Sequence, residues 1–283
     1  MKDLLGNPHQ IRSKVSNLRD RFVFNSRNFA ISSGLMGGHS DYVKFIILGR
    51  SRTGSTLLRS LLNSHSQIVT YNEIFRNYNE PLWDANLPKS TKTLALMQER
   101  PLEFLESTAF RPFPRHISAV GFKLFYYHAH NEAWMPIWSY LKDRKDLKII
   151  HIKRKNILKT HLSHKRALDN HTWVKTSAPI QKNAAMTLTY EECLKSFQGT
   201  IAWEKEYDEF FKDHEMIEVV YENLAKDFQT EMQYVQQFLE VDSKPLKPAT
   251  FKQSHGKLSA QIANYDEIKA RFMGTLWEKF FEE

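Results

Sequence analysis

The sequence predicts an α/β fold of the P-loop-like nucleotide-binding kind, with a mainly parallel central sheet flanked by helices on both faces. Short apolar runs recur along the chain, and helical stretches separate them. The first apolar run leads through a turn of small residues into a leucine-rich helix. Strands that alternate with helices favour a parallel sheet, because each connecting helix returns the chain to the same end of the sheet.

The predicted elements begin at residue 42. Five apolar runs are typical of buried strands and span residues 42–48, 67–71, 119–127, 146–153 and 216–222. The clearest helices are predicted over residues 155–168, 184–212 and 223–240. We expect residues 1–40 to be an N-terminal extension and residues 41–283 to form a single domain, in which residues 76–118 are a substrate-facing insertion.

Composition limits the possible functions. The chain has 283 residues, 41% of them hydrophobic, which is enough for one buried core. Its net charge of +8 favours anionic partners without choosing among nucleic acid, acidic lipid, a polyanionic cofactor and a sulfated glycan. The single cysteine, Cys193, excludes an intramolecular disulfide and fits a reducing compartment. With no signal-peptide pattern and no membrane-length apolar run, a cytoplasmic protein without a membrane span is expected.

The stretch GRSRTGST, residues 49–56, connects the first predicted strand to the first helix. Its glycines have the spacing of the front half of a P-loop, but Ser55 stands where that signature requires lysine. Unpaired amides at a helix N-terminus bind anions. Arg52 would supply the missing positive charge, because a guanidinium bridges two oxygens of a terminal oxyanion. Since no acidic side chain for Mg²⁺ follows the strand at 146–153, the loop is expected to hold its anion without a metal.

A second basic element begins where the fourth predicted strand ends. Arg154 lies at the strand end, and Ser163 follows on the next helix. The two side chains would clasp a second phosphate, and the alternative is a solvated basic helix. Both sites begin at the end of a strand, so they predict a ligand with two separated anionic groups across the carboxyl edge of the sheet. His161 and His164 have metal-ligand spacing but lack a third ligand, so no metal site is predicted.

These motifs resemble those of the sulfotransferases that use 3′-phosphoadenosine 5′-phosphosulfate (PAPS), and especially the bacterial nodulation-factor and carbohydrate-type members. The 5′-phosphosulfate loop of that family is similar to RSRTGSTLLRSLLNSH, and its 3′-phosphate element is similar to KRKNILKTHLSHKRA. Two later family segments resemble IEVVYENLAKDFQTEMQYVQQFLEV and FKQSHGKLSAQIANYDEIKARFMGTLWEKF. The resemblance covers about residues 42–282 and implies a PAPS-dependent sulfotransferase.

The resemblance also implies roles for individual residues, with PAPS as the sulfuryl donor. The 5′-phosphosulfate would be held by Arg52, Thr53, Gly54, Ser55 and Thr56. The 3′-phosphate would be bound by Arg154 and Ser163, and further nucleotide contacts would come from Tyr221, Lys252 and Gln253.

Sulfuryl transfer requires the acceptor atom, the sulfur and the departing oxygen in line, with charge stabilised at the leaving end. Arg52 and Lys123 are the predicted cations. Lys123 interrupts an apolar strand, and burying an unpaired ammonium there would be costly, so a functional reason is expected. The alternative is an edge strand in which the ammonium lies in solvent. Glu73 is the predicted base for the acceptor proton, with His128 as a fallback. The alternative for Glu73 is a carboxylate that stabilises a helix start.

The expected acceptor is a small polar metabolite or a carbohydrate. A sugar, a lipo-oligosaccharide and an alkaloid-type metabolite all remain open, as do O- and N-sulfation and the oligomeric state. Aromatic residues in and beyond the insertion would line an acceptor pocket or fill the core: Tyr78, Trp83, Phe104, Phe110, Phe113, Trp134 and Trp138. The alternative functions are a P-loop nucleotide kinase or NTPase, and a basic nucleic-acid-binding protein. The incomplete P-loop signature and the lack of a recognised nucleic-acid module count against them.

Overall fold

The computed structural model describes residues 37–78, 90–169, 184–249 and 256–282, together with Ser26, Ile31 and Leu87. These residues contain a five-stranded sheet in the order β2–β3–β1–β4–β5, in which every pair of neighbours is parallel. The strands are β1 Val43–Gly49, β2 Ile68–Tyr71, β3 Ala119–Phe125, β4 Leu147–Lys153 and β5 Met216–Val220. The predicted α/β fold with a parallel sheet is confirmed.

The central strand β1 is buried on both faces of the sheet. Phe45 and Ile47 pack into one apolar cluster and Ile46 and Leu48 into another, and all four are 0% exposed. A stretch of strand covered on both faces is mostly apolar, which explains the unbroken apolar run FIIL at residues 45–48 of β1.

Helices cover both faces of this sheet. They are α1 Ser55–Leu62, α2 Thr91–Glu99, α3 Pro101–Phe104, α4 Pro136–Asp143, α5 Ile157–Asp169, α6 Tyr190–Phe210, α7 Tyr221–Lys226, α8 Phe228–Phe238 and α9 Tyr265–Phe272. A π-helical turn spans Leu105–Ala109, and a 3-10 turn spans Glu278–Phe281. None of these described helices has the length and apolar character that crossing a bilayer requires.

Several element boundaries differ from the predictions for local reasons. The predicted helix 184–212 begins only at Tyr190, because Thr189 forms a capping box with Glu192 and fixes the start there. The predicted helix 223–240 is two helices, since the Asp227 side chain accepts from Thr230 N–H and starts α8. Strands β3 and β5 each end two residues earlier than predicted.

The described part of the insertion packs against the sheet. Of the two roles considered for the aromatic residues, lining a pocket or filling the core, the core is the one observed for five of them. None of the five is more than 6% exposed: Phe104, Phe110, Phe113, Trp134 and Trp138. Tyr78 packs on the Trp134 ring, with 5.3 Å between centroids, whereas Trp83 lies outside the described residues. A role of the insertion in facing the substrate stays a prediction, as does the boundary between residues 40 and 41.

The strand order places three loops together at one edge of the sheet. From β1 the chain passes to β2 and β3 on one side, and then crosses to β4 and β5 on the other side. The segments that follow β3, β1 and β4 are therefore neighbours at the carboxyl ends of the strands. This edge, where the direction of chain progression reverses, is where open α/β sheets bind ligands.

Candidate functional site

The loop between β1 and α1 is shaped by two residues in the left-handed backbone region. Arg52 has a φ of 69° and Gly54 a φ of 89°. Gly54 is the N-cap of α1 and supplies no side-chain cap, so the first-turn amides of this helix are available to a ligand. Left-handed residues in such a loop turn successive amides toward one point, which forms an anion-binding concavity. The predicted anion-binding loop thus contains the left-handed residues and the uncapped helix start that such a concavity uses.

Tyr221 is wedged between this loop and Arg154. A Cβ atom on Gly54 would lie 2.4 Å from Cδ2 of Tyr221, so glycine is required by the close approach as well as by its φ. The Arg154 guanidinium lies over the Tyr221 ring, with its central carbon 4.6 Å from the ring centroid. Tyr221 is the first residue of α7, and its position fixes the spacing between the loop and this guanidinium.

The two predicted anion sites adjoin one another. Arg52 Nε donates to Ser163 Oγ on α5 at 2.9 Å, and Arg154 Nη1 donates to the backbone oxygen of Arg52 at 3.2 Å. Glu222 is 3.9 Å from Arg154 Nε. Burial, followed by repulsion from Arg154, lowers the pKa of Arg52, and burial lowers the pKa of Arg154. Two partly desolvated guanidinium groups this close form a site that an anion stabilises.

Lys123 lies in an interior strand with its ammonium buried. It pairs with Ile47 of β1 in the sheet register and is 1% exposed, so the alternative of an edge position in solvent is wrong. Its Nζ donates to Glu73 Oε1 at 2.9 Å and lies 3.5 Å from Oγ1 of Thr56 at the start of α1. The structure therefore brings the predicted cation and the predicted base into direct contact beside the loop.

Burial and attraction oppose each other in this ion pair. Burial favours the neutral acid, yet attraction to Lys123 and its hydrogen bond outweigh burial, so the pKa of Glu73 is lowered. Burial also lowers the pKa of Lys123, and the Glu73 charge offsets this only in part. Glu73 is therefore a carboxylate at neutral pH, but a weak base for as long as Lys123 holds it.

His128 lies on the other side of the Glu73 carboxylate. Its Nε2 is 4.0 Å from Glu73 Oε2, and its Nδ1 accepts from Phe125 N–H at 3.2 Å. Burial lowers the pKa of His128 to about 4, so the ring is neutral and carries its proton on Nε2. In this tautomer Nε2 already carries a proton on the side that faces Glu73 and cannot accept another there, which favours Glu73 over His128 as the base.

The site contains two residues that the sequence analysis missed. Arg50 is 8% exposed, donates to Thr200 Oγ1, and has its guanidinium 6.0 Å from the centroid of the Trp203 ring. Tyr127 Oη accepts from Ser51 N–H in the loop at 3.1 Å. A second arginine inside the loop was a visible signal for Arg50, whereas only the tertiary fold brings Tyr127 to the loop.

A buried polar chain anchors α6 behind this edge. Tyr126 Oη is 2.6 Å from His151 Nε2, and His151 Nδ1 is 2.8 Å from Asp208 Oδ1. Lys153 Nζ donates to Asp208 Oδ2 at 2.8 Å. Burial lowers the pKa of His151 to about 4, so this neutral ring accepts from the tyrosine and donates to the carboxylate. These hydrogen-bonded side chains connect α6 to the ends of β3 and β4.

Two predicted nucleotide contacts, Lys252 and Gln253, lie outside the described residues. Within the residues that are described, no three His, Cys, Asp or Glu side chains are grouped to hold a metal ion. His161 lies 3.7 Å from Glu192 Oε1 on α6.

The profile of the sulfotransferase family matches residues 45–245, a range that includes every site residue located above. Nodulation protein H of Rhizobium tropici is 24% identical over 244 residues, covering 84% of this chain and 92% of that protein. Nodulation protein H of Rhizobium meliloti (strain 1021) is 25% identical over 252 residues, with 84% and 94% coverage.

Two solved structures are also similar to this chain. One is a sulfotransferase from Alicyclobacillus acidocaldarius, with a TM-score of 0.46, 14% identity, and coverage of 84% of this chain and 94% of that one. The other is mouse sulfotransferase SULT7A1 complexed with PAP, with a TM-score of 0.41, 15% identity, and coverage of 76% and 64%.

Replacing Glu73 with glutamine is expected to destabilise the protein in a pH-dependent way. The variant leaves the Lys123 ammonium buried without its counter-ion, which costs about 3 kcal/mol of unfolding free energy at pH 7. Burial lowers the pKa of Lys123 and Glu73 opposes this, so without Glu73 the pKa falls further below 10.5; the folded variant then binds this proton more weakly than the unfolded chain does, and its stability rises with pH up to that value. The deficit should therefore shrink as pH rises, to about 1.4 kcal/mol or less one unit below the ordinary pKa.

Urea unfolding at pH 7 and pH 9.5 measures this deficit. The control is Glu209→Gln, which removes the partner of Lys212 in an exposed pair and should change stability by less than about 1 kcal/mol at either pH. A Glu73→Gln deficit that stays constant or grows with pH would contradict the assignment of a buried ammonium to Lys123.

Proposed function

We propose a reaction for this chain, which belongs to the sulfotransferase family, as its motifs predicted. It transfers the sulfuryl group of PAPS to a hydroxyl, amino or N-hydroxyl group of a small polar metabolite or carbohydrate. The other product is 3′-phosphoadenosine 5′-phosphate (PAP). The observation that carries the proposal is the contact of the loop with the Arg154–Ser163 pair. Two phosphate-binding clusters this close suit one ligand with anionic groups at the 5′ and 3′ positions of the same ribose.

The strand order gives this ligand a direction along the sheet edge. Arg154 and Ser163 follow β4 on one side of β1, while Lys123 in β3 and Glu73 after β2 lie on the other side. A phosphate at the N-terminus of α1 would direct its nucleoside toward β4 and its sulfuryl group toward β3. The reacting sulfur would then lie between the loop and the Glu73–Lys123 pair.

Each of these residues then has a distinct task. The α1 amides and Arg52 hold the 5′-phosphate, and Arg154 with Ser163 holds the 3′-phosphate. Lys123 moves its positive charge from Glu73 to the departing oxygen, a short distance because its Nζ already lies 3.5 Å from Thr56 Oγ1. Glu73 loses its counter-ion in that exchange, so its pKa rises and it becomes a better base for the acceptor proton.

The two phosphate sites can be separated by mutating Arg154. Arg154→Ala should weaken PAP binding by about 10- to 100-fold, because a hydrogen bond between charged groups is lost. The same variant should change the affinity for adenosine 5′-phosphate, which has no 3′-phosphate, by much less. Calorimetric titration of both nucleotides measures the difference. The control is Arg271→Ala on α9, which removes an exposed arginine that pairs with Glu191. An equal loss for both nucleotides would show that Arg154 does not bind the 3′-phosphate.

The base is tested by turnover, read as PAP release from PAPS with a panel of saccharide acceptors. Glu73→Gln should lower turnover by about 10²–10⁴-fold, because the acceptor proton loses its base. PAP affinity should change far less than turnover does, since Glu73 reaches the loop only through Lys123, whose Nζ lies 2.9 Å from Glu73 Oε1 and 3.5 Å from Thr56 Oγ1. Glu209→Gln should leave both quantities unchanged. Turnover retained in Glu73→Gln would remove Glu73 from this role.

A further inference from the structure

Tyr127 lies beside the loop between β1 and α1, two residues after the end of β3. Its side chain is 42% exposed, and its ring packs on Phe125, His128 and Trp203 with centroid distances of 5.8, 5.1 and 5.9 Å. Its hydroxyl is held by Ser51 N–H at 3.1 Å. The ring contacts and the backbone hydrogen bond together fix the position of the hydroxyl group.

This hydroxyl lies on the reactive side of the loop. Tyr127 follows β3, the strand that carries Lys123, whereas the two groups assigned to the 3′-phosphate follow β4 across β1. The next residue in the chain, His128, has its Nε2 4.0 Å from Glu73 Oε2. The charge of Glu73 also acts on the Tyr127 hydroxyl, which is held against the loop by Ser51 N–H, so a group that extends from the loop toward the Glu73–Lys123 pair would approach this hydroxyl.

The hydroxyl is suited to donate a hydrogen bond to an anion. Burial, together with the charge of Glu73, raises the pKa of Tyr127 although the bonds from Ser51 act against this, so the hydroxyl keeps its proton at neutral pH. A phenolic oxygen that accepts one hydrogen bond can donate its own proton at the same time. The charge of the neighbouring Arg50 also acts on this hydroxyl and favours a negatively charged group beside it.

We propose that the Tyr127 hydroxyl, oriented by Ser51 N–H, donates a hydrogen bond to an oxygen of the sulfuryl group of PAPS. Tyr127 would then be a specificity-determining residue that distinguishes the loaded donor from the spent nucleotide. PAP lacks the sulfuryl group, so Tyr127 contributes nothing to its binding, and the product leaves the site more readily than the donor does. This inference rests on the proposed function.

The comparison of PAPS with PAP tests this role without requiring a known acceptor. Tyr127→Phe keeps the ring and its packing but removes the hydroxyl, so the affinity for PAPS should fall by about tenfold while the affinity for PAP stays within about twofold. Binding is measured by calorimetric titration of the full chain with each nucleotide. The control is Tyr140→Phe, which removes a hydroxyl that contacts Glu106 and Arg144 away from the loop and should leave both affinities unchanged.

Three outcomes would overturn the inference. An unchanged ratio of PAPS to PAP affinity in Tyr127→Phe would mean that the hydroxyl does not contact the sulfuryl group. Slower turnover with saccharide acceptors at unchanged PAPS affinity would place the hydroxyl against the acceptor instead. A wild-type protein that bound neither nucleotide would overturn the proposed function as well, whereas the first two outcomes leave that function intact.

Discussion

The hydrogen bond between Arg52 and Ser163 is the contact on which the arrangement of this site depends. It joins the loop after β1 to α5 after β4, and so it converts two separate strand ends into one anion-binding surface. The left-handed backbone at Arg52 and Gly54, the close approach of Tyr221 and the Arg154 bond to the loop backbone all act in its support. Two guanidinium groups in a partly desolvated place repel each other until an anion binds, so under the proposed function the site would favour ligands with more than one negative group.

The other half of the site is built on the buried Glu73–Lys123 ion pair. A buried ion pair adds little net stability, because the cost of desolvating both charges offsets their attraction. Each charge of the pair has a second neighbour in the site. The ammonium lies close to Thr56 of the loop, and the carboxylate faces His128. Under the proposed function, an anion in the loop would compete with Glu73 for Lys123, so the strength of the base would be linked to the presence of the donor. Such a link would restrict proton abstraction to the complex in which sulfuryl transfer is possible.

The sequence was sufficient for the parts of this structure that follow local rules. Apolar runs located all five strands, because most positions of a strand buried on both faces are apolar, and the order of strand, loop and basic residue located Arg52 and Arg154. Helix ends were missed where one side chain decides them, as Thr189 does for α6. The sequence also left open whether Lys123 is buried, since that depends on β3 lying between β2 and β1. Tyr127 could not be identified, because only the packing of three segments brings its hydroxyl to Ser51.

The central proposal is that one nucleotide spans both phosphate clusters. A thermal-shift comparison of PAP, ADP and ATP with Mg²⁺ tests this most directly, because a ligand that binds only the folded state raises the melting temperature more the tighter it binds. We expect a clear rise with PAP in the absence of any metal, and a much smaller rise with ADP or with ATP–Mg²⁺. Equal stabilisation by PAP and ADP would contradict it, because the Arg154–Ser163 cluster would then contribute nothing to nucleotide binding.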